Sequence, residues 1–247
     1  MKNHFQKKIF ILLGISAILS TFSACTFSGD EKDEPESEID LSNYNISISY
    51  DDSSSYKQVE YPMVNAEEIR IDSLYVQVGY ELNKNRWILI GNSIEEDPTG
   101  LKLLLVDPTL DYKLIYRSKG AYESMILHPS FFKSSDQKDP LIILCALGQL
   151  ESWGQELFFM KGDTINEVAY LDVAIYRNDP DDESGYRLED ISGLTQIIKN
   201  QTGIIFQFKA DSITYFGVRN EIVDPILSPN ELRYRYFNGK LIEEWRN

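Results

Sequence analysis

Few residues in this chain have the type and spacing to carry out chemistry. His128, in Ile126-Leu127-His128-Pro129, is the only histidine beyond the first few residues, the other being His4. Triads, dyads and most zinc sites need a histidine with partners placed around it. No Gly-x-Ser-x-Gly elbow or His-Glu-x-x-His helix is present. His128 therefore reads as structural. Cys145 sits inside the apolar run 141–146. A thiol there behaves as a small buried hydrophobe whose pKa rises, the opposite of what a nucleophile needs.

Oxygen ligands and aromatic rings offer more. Asp179, Asp181, Asp182 and Glu183 fall in one loop that ends at Gly185. Hard carboxylate oxygens on a flexible loop suit calcium, the one cofactor the composition suggests. The glycine comes one position later than in the familiar calcium loop, so a solvated acidic turn is the competing reading. A pair of carboxylates across a cleft would suit glycoside hydrolysis, but no motif singles out which two. Tyr122, Trp153, Tyr186 and Tyr215 are candidate ligand-binding rings, because aromatic faces on loops and sheets stack on sugars or anchor protein partners.

The elements that must hold these groups are strands. Residues 74–82 and 87–90 flank the turn 83–86 as a hairpin, and 101–106 and 112–116 form a second around Asp107-Pro108-Thr109. Further strands are expected at 45–50, 141–146, 156–160, 168–175, 204–208 and 213–218. The run 232–237 alternates, and Asn238-Gly239 predicts a type I′ turn before 240–245. The spacing of Leu188, Ile191, Leu194 and Ile198 predicts one helix over 190–200, with Gly203 just beyond it. The fold class is all-β: an antiparallel meander forming a β-sandwich or a partial β-propeller-like body, with at most one or two short helices.

A shift of 54 residues lays 87–120 over 141–174, placing WILIG on LIILC and Gly100 on Gly154. A unit of about 50 residues is the length of a propeller blade. It resembles propeller-type β repeats, without the regularly spaced aspartates of their calcium-binding members.

The first 44 residues have a different character. Lys2, Lys7 and Lys8 precede an apolar run over 9–19, shorter than the roughly 20 residues that span a bilayer and typical of a secretory signal peptide. It ends at Phe22-Ser23-Ala24-Cys25, which resembles the lipobox of bacterial lipoproteins, with Phe22 where leucine is usual. The resemblance implies cleavage before Cys25, acylation of Cys25 with palmitate-type chains, and anchorage in the envelope. Several acyl chains hold a protein on a membrane far more firmly than one. Thr26 rather than aspartate after the cysteine implies the outer membrane, on either the periplasmic or the surface face. Residues 28–40 read SGDEKDEPESEID, too polar and acidic to pack, and predict a disordered tether. The expected organisation is a signal peptide over 1–24, a tether over 25–44 and a single all-β domain over 45–247.

The net charge of −15, from 24 basic and 39 acidic residues, excludes a nucleic-acid binder. Losing the three leader lysines makes it −18, and setting aside the tether's seven acids and Lys32 leaves −12 for the body. The expected role is a membrane-anchored, non-catalytic binding module for a glycan or protein ligand. The alternatives are a carboxylate-dependent glycoside hydrolase, and an envelope inhibitor or assembly factor acting on a basic protein.

Overall fold

The structure is a computed structural model, and it describes residues 55–66, 68–93, 99–121, 124–180, 184–217 and 226–246. All of these belong to one compact unit, Ser49–Asn247. The strand expected over 45–50 lies outside the described residues.

Short leading strands, β1 (Tyr56–Val59), β2 (Met63–Val64) and β3 (Arg70–Ile71), precede a four-stranded meander. That meander is β4 (Leu74–Asn83), β5 (Arg86–Ser93), β6 (Lys102–Asp107) and β7 (Lys113–Arg117). A second meander follows: β8 (Ile126–Ser134), β9 (Leu141–Gly148), β10 (Ser152–Lys161) and β11 (Thr164–Leu171). The chain continues through β12 (Val173–Asn178), β13 (Tyr186–Glu189), β14 (Thr195–Asn200) and β15 (Gly203–Phe208). It ends with β16 (Ile213–Tyr215), β17 (Ile226–Leu227), β18 (Leu232–Phe237) and β19 (Lys240–Trp245). The all-β class expected from the strand pattern is the class observed. No helix among the described residues is long and apolar enough to cross a membrane.

The strands form three antiparallel sheets. The first meander, with β2 and β3 paired to β4, makes one sheet, and β13-β12-β16-β17 makes another. The third runs β11-β10-β9-β8-β1-β14-β15-β18-β19 and curls until β19 meets β11, nearly closing into a barrel.

Burial explains the arrangement. Ile88, Ile90, Leu103 and Leu105 of the first meander pack against Phe131, Ile143, Cys145 and Phe158 of the second. The other face of the second meander, through Ile142, Leu144, Leu157 and Phe159, packs inside the curled sheet against Val173, Phe206, Ile213 and Tyr234. Strands β9 and β10 are therefore covered on both sides. That is why 141–146 is unbroken in its hydrophobicity where a half-exposed strand would alternate. Leu104 and Val106 of β6 face a third cluster, closed over by Ala66, Ile69 and Ile71. Each fully buried Val, Leu, Ile or Phe among them contributes about 1.5–3 kcal/mol.

Local chemistry sets the turns. Asn238 and Gly239 have φ of 51° and 80°, the two left-handed residues that a type I′ turn requires. The 54-residue shift carries β5, β6 and β7 onto β9, β10 and β11.

Two expectations need correction. The helix over 190–200 does not form: Ser192–Leu194 is a single 3-10 turn, and 195–200 is strand β14, paired to β15 along its length. Asp190 accepts a hydrogen bond from the Ser192 backbone N–H at 2.9 Å, a local bond of the kind that starts a helical turn, which here goes no further than Leu194. Burial of Thr195 and Ile197 in the sheet outweighs the three- and four-residue spacing. The single strand expected over 168–175 is broken at Asp172, where the chain passes from β11 in the curled sheet to β12 in the small one.

Candidate functional site

At one edge of the interface between the two meanders, the packing opens into a cleft of about 460 Å³, a volume in the range of small-molecule sites. One wall is the segment 119–121 just past β7, and the other is made by β10 and β11, with Leu147 at the end of β9. The side chains that give it chemical character are Lys119, Trp153, Glu156, Glu167 and Tyr170.

Two irregularities in strand pairing place them. Glu156 of β10 lies opposite Tyr170 of β11, and Phe158 lies opposite Glu167, with a register shift between Leu157 and Phe158. Tyr170 and Glu167 are three residues apart, an odd spacing that in a regular strand would send them to opposite faces. The extra residue on β11 reverses the alternation and brings both to the face that carries Glu156. A second shift, between Ser152 and Gly154 where β10 pairs with β9, singles out Trp153. The Tyr170 hydroxyl donates to the Trp153 carbonyl oxygen at 2.7 Å, tying β11 to this bulge. Gly154 is required between them: its φ is +147°, and a Cβ there would lie 2.2 Å from the Tyr170 Oη.

The electrostatics are uneven. The Glu167 carboxylate pairs with the Lys119 ammonium at 3.2 Å, and Lys119 itself is 87% exposed. The Glu156 Oε2 is enclosed and meets no hydrogen-bonding group of the protein. Burial, reinforced by the nearby Glu167 charge and opposed by Lys119, pushes the Glu156 carboxyl up to about 7. The Tyr116 phenol on β7 is pushed up to about 12 by burial, then by Glu167 and Glu156. The Tyr170 phenol is also raised, first by burial. Around neutral pH the cleft thus holds one carboxyl divided between its two protonation states, beside a second in an ion pair. It can accept a hydrogen bond or a positive charge, or donate a proton, at Glu156, with aromatic surface alongside.

Of the rings singled out in the sequence, Trp153 lies in the cleft. Tyr122 lies outside the described residues, directly after Ala121 of the cleft wall. Tyr186 is elsewhere, stacked on Tyr176 with centroids 5.3 Å apart and planes 23° from parallel. Tyr215 is only 3% exposed; its hydroxyl donates to Glu243 at 2.9 Å and its ring meets Trp245 edge-on. It is a residue of the small sheet packed into the core that the curled sheet encloses, rather than a surface platform. Near it, burial and the Glu243 charge raise the Asp172 carboxyl to about 6.

Asp179 is half-buried, and its N–H donates to the Gly185 carbonyl at 3.1 Å. Asp181, Asp182, Glu183 and the lipidation candidate Cys25 lie outside the described residues. No group of three or more His, Cys, Asp or Glu among the described residues is arranged to hold a metal ion. Cys145 is fully buried, and burial pushes its thiol well up. His128 is exposed on the rim of a second hollow of about 410 Å³, beside Tyr61, Tyr80 and Phe131.

Glu156, Glu167, Tyr170 and Lys119 were not among the residues that the sequence marked. One signal was available: Gln155 and Glu156 interrupt an otherwise apolar strand, GQELFFM, and a charge between core positions calls for a reason. The chain matches no protein-family model, and no curated protein or solved structure is significantly similar to it.

Proposed function

We propose that this protein is an envelope lipoprotein, anchored through Cys25 and an acidic tether, whose β body is a non-catalytic binding module. Its glycan or protein ligand inserts a polar group into the cleft between the two meanders. The observation that carries this reading is the combination in one cleft of an indole, a phenol and two carboxylates, one with an oxygen that no protein group satisfies. Apolar surface with a few convergent polar groups is the usual composition of a ligand site, and a buried polar atom without a partner costs about 1–3 kcal/mol, which marks Glu156 as a residue kept for a reason other than packing. The anchor rests on the Phe22-Ser23-Ala24-Cys25 motif and the basic, apolar leader before it.

The test has two arms. Full-length protein with Cys25→Ser should leave the membrane fraction, and retention there would count against the anchor. Full-length protein in detergent, screened on arrays of glycans and peptides, should retain a ligand that Trp153→Ala loses. Retention unaffected by Trp153→Ala would place the site elsewhere.

A second reading is favoured by one specific feature, the carboxyl held near neutrality beside another carboxylate. In glycoside hydrolysis a protonated carboxyl donates to the leaving oxygen while its partner acts as base or nucleophile. Glu156 would be the acid and Glu167 the partner. Turnover of any substrate in a broad aryl-glycoside panel, abolished by both Glu156→Gln and Glu167→Gln, would establish this reading over simple binding.

A further inference from the structure

We infer that the group received by the cleft is a primary ammonium of the lysine type, presented by a partner polypeptide, and that Lys119 occupies part of its place in the free protein. The inference rests on the binding reading above and specifies its ligand.

Lys119 is an exposed residue on the loop wall, and its Nζ reaches across to Glu167 on the opposite wall. An exposed pair of this kind contributes little, about 0–1 kcal/mol, so a competing cation displaces it at small cost. Glu156, on the same face, keeps an enclosed oxygen with no donor. An incoming ammonium has three donors. It can take over the bond to Glu167 and also pair with the Glu156 carboxyl, which lines the same cleft and to which Lys119 makes no hydrogen bond in the free protein. Trp153 and Tyr170 line the same space, and aromatic rings beside an ammonium add to its attraction. A polypeptide is the favoured carrier because the body keeps a net charge of −12 without leader and tether, which steers a basic partner towards it and repels an acidic one.

The groups that set the charge of the site are Glu156 on β10, Glu167 and Tyr170 on β11, Tyr116 on β7, Lys119 beyond β7 and Cys145 on β9. Both phenols and the thiol are raised and stay neutral below pH 9. Glu156 is then the group that titrates near neutrality. An ammonium favours its ionised form, so affinity must rise with pH through about 7 and level off above it. A ligand that accepts a proton-donor bond from neutral Glu156 would show the reverse.

The test uses acetyl-Gly-Lys-Gly-amide, its Nε-acetylated form and a glucosamine tetrasaccharide, titrated into the full-length protein in detergent at 0.15 M salt. The lysine probe should bind about tenfold tighter than the acetylated one, the difference between a charge-assisted and a neutral hydrogen bond. Its affinity should be higher at pH 8.5 than at pH 5.5. Lys119→Ala should strengthen binding by removing the competitor, and Glu156→Gln and Glu167→Gln should each weaken it. Asp211→Asn, which removes one exposed charge outside the cleft, should leave it unchanged. Equal binding of both peptides in the cleft would overturn the inference and leave the binding reading standing. Tighter binding of the glucosamine tetrasaccharide than of the lysine probe would also overturn it, and would make the ligand an amino sugar. If no probe binds at all, the inference fails, and the glycan and peptide arrays with Trp153→Ala decide the binding reading separately.

Discussion

The Tyr170 hydroxyl donates to the carbonyl oxygen of Trp153 across the β10–β11 pair, at 2.7 Å. This bond fixes the one sequence-predicted aromatic of the cleft to the strand that carries Glu167. The phenol reaches the carbonyl because the intervening residue, Gly154, has no side chain to block it.

Gly154→Ala should therefore destabilise the protein by about 2–4 kcal/mol, since a Cβ must displace the Tyr170 ring from a residue held at positive φ. Tyr170→Phe should cost about 1 kcal/mol for the lost hydrogen bond. Combined, the two should cost less than their sum, because removing the hydroxyl relieves part of the clash. Urea denaturation of the three variants measures this, and strict additivity would show that the phenol and the glycine act independently.

Glu156 makes stability depend on pH in a defined window. Its folded pKa of about 7 lies above the ordinary 4.5, so the folded protein binds the proton more tightly than the unfolded chain does. Stability contributed by the neutral form is complete below pH 4.5 and is lost as pH rises to 7 and beyond. Glu156→Gln keeps the neutral shape at every pH. It should flatten this part of the profile and leave the variant more stable than wild type at pH 8, by on the order of 2 kcal/mol. Chemical denaturation at pH 5 and pH 8 compares the two; parallel profiles would mean that Glu156 is already ionised at pH 5.

Cys145 is packed at the interface between the two meanders and is fully buried. Its thiol should react with an aromatic disulfide reagent only as fast as the fold opens, and at full rate in denaturant. Cys145→Ser places a hydroxyl among apolar side chains and should cost about 1–3 kcal/mol. Rapid labelling of the native protein would show that this interface opens far more readily than its packing implies.

The strands and their turns were legible where a single local rule operated. Asn238-Gly239 demanded left-handed backbone, and the unbroken run 141–146 matched a strand covered on both faces. The helix expected over 190–200 failed because its spacing fitted a helix while the partners that bury Thr195 and Ile197 come from β1 and β15, a tertiary relation that no local window contains. The cleft was hidden for a similar reason. Glu167 and Tyr170 join Glu156 only because β11 carries one extra residue, and a bulge leaves no mark on hydrophobic alternation that distinguishes it from an ordinary polar position. Trp153 was legible as a candidate ring, though it stands at the start of strand β10 and not in a loop; its carboxylate neighbours were not.

The most direct test of the cleft as the ligand site uses the three tryptophans, Trp87, Trp153 and Trp245. Only Trp153 lines the cleft; Trp87 packs against Tyr112, and Trp245 against Tyr215. Each indole N–H gives one resolved cross-peak in a nitrogen–proton correlation spectrum, assigned by Trp→Phe variants of the full-length protein. On titration with acetyl-Gly-Lys-Gly-amide the Trp153 signal should move while those of Trp87 and Trp245 stay fixed. A stationary Trp153 signal at saturating probe, or movement confined to Trp87 or Trp245, would contradict the account.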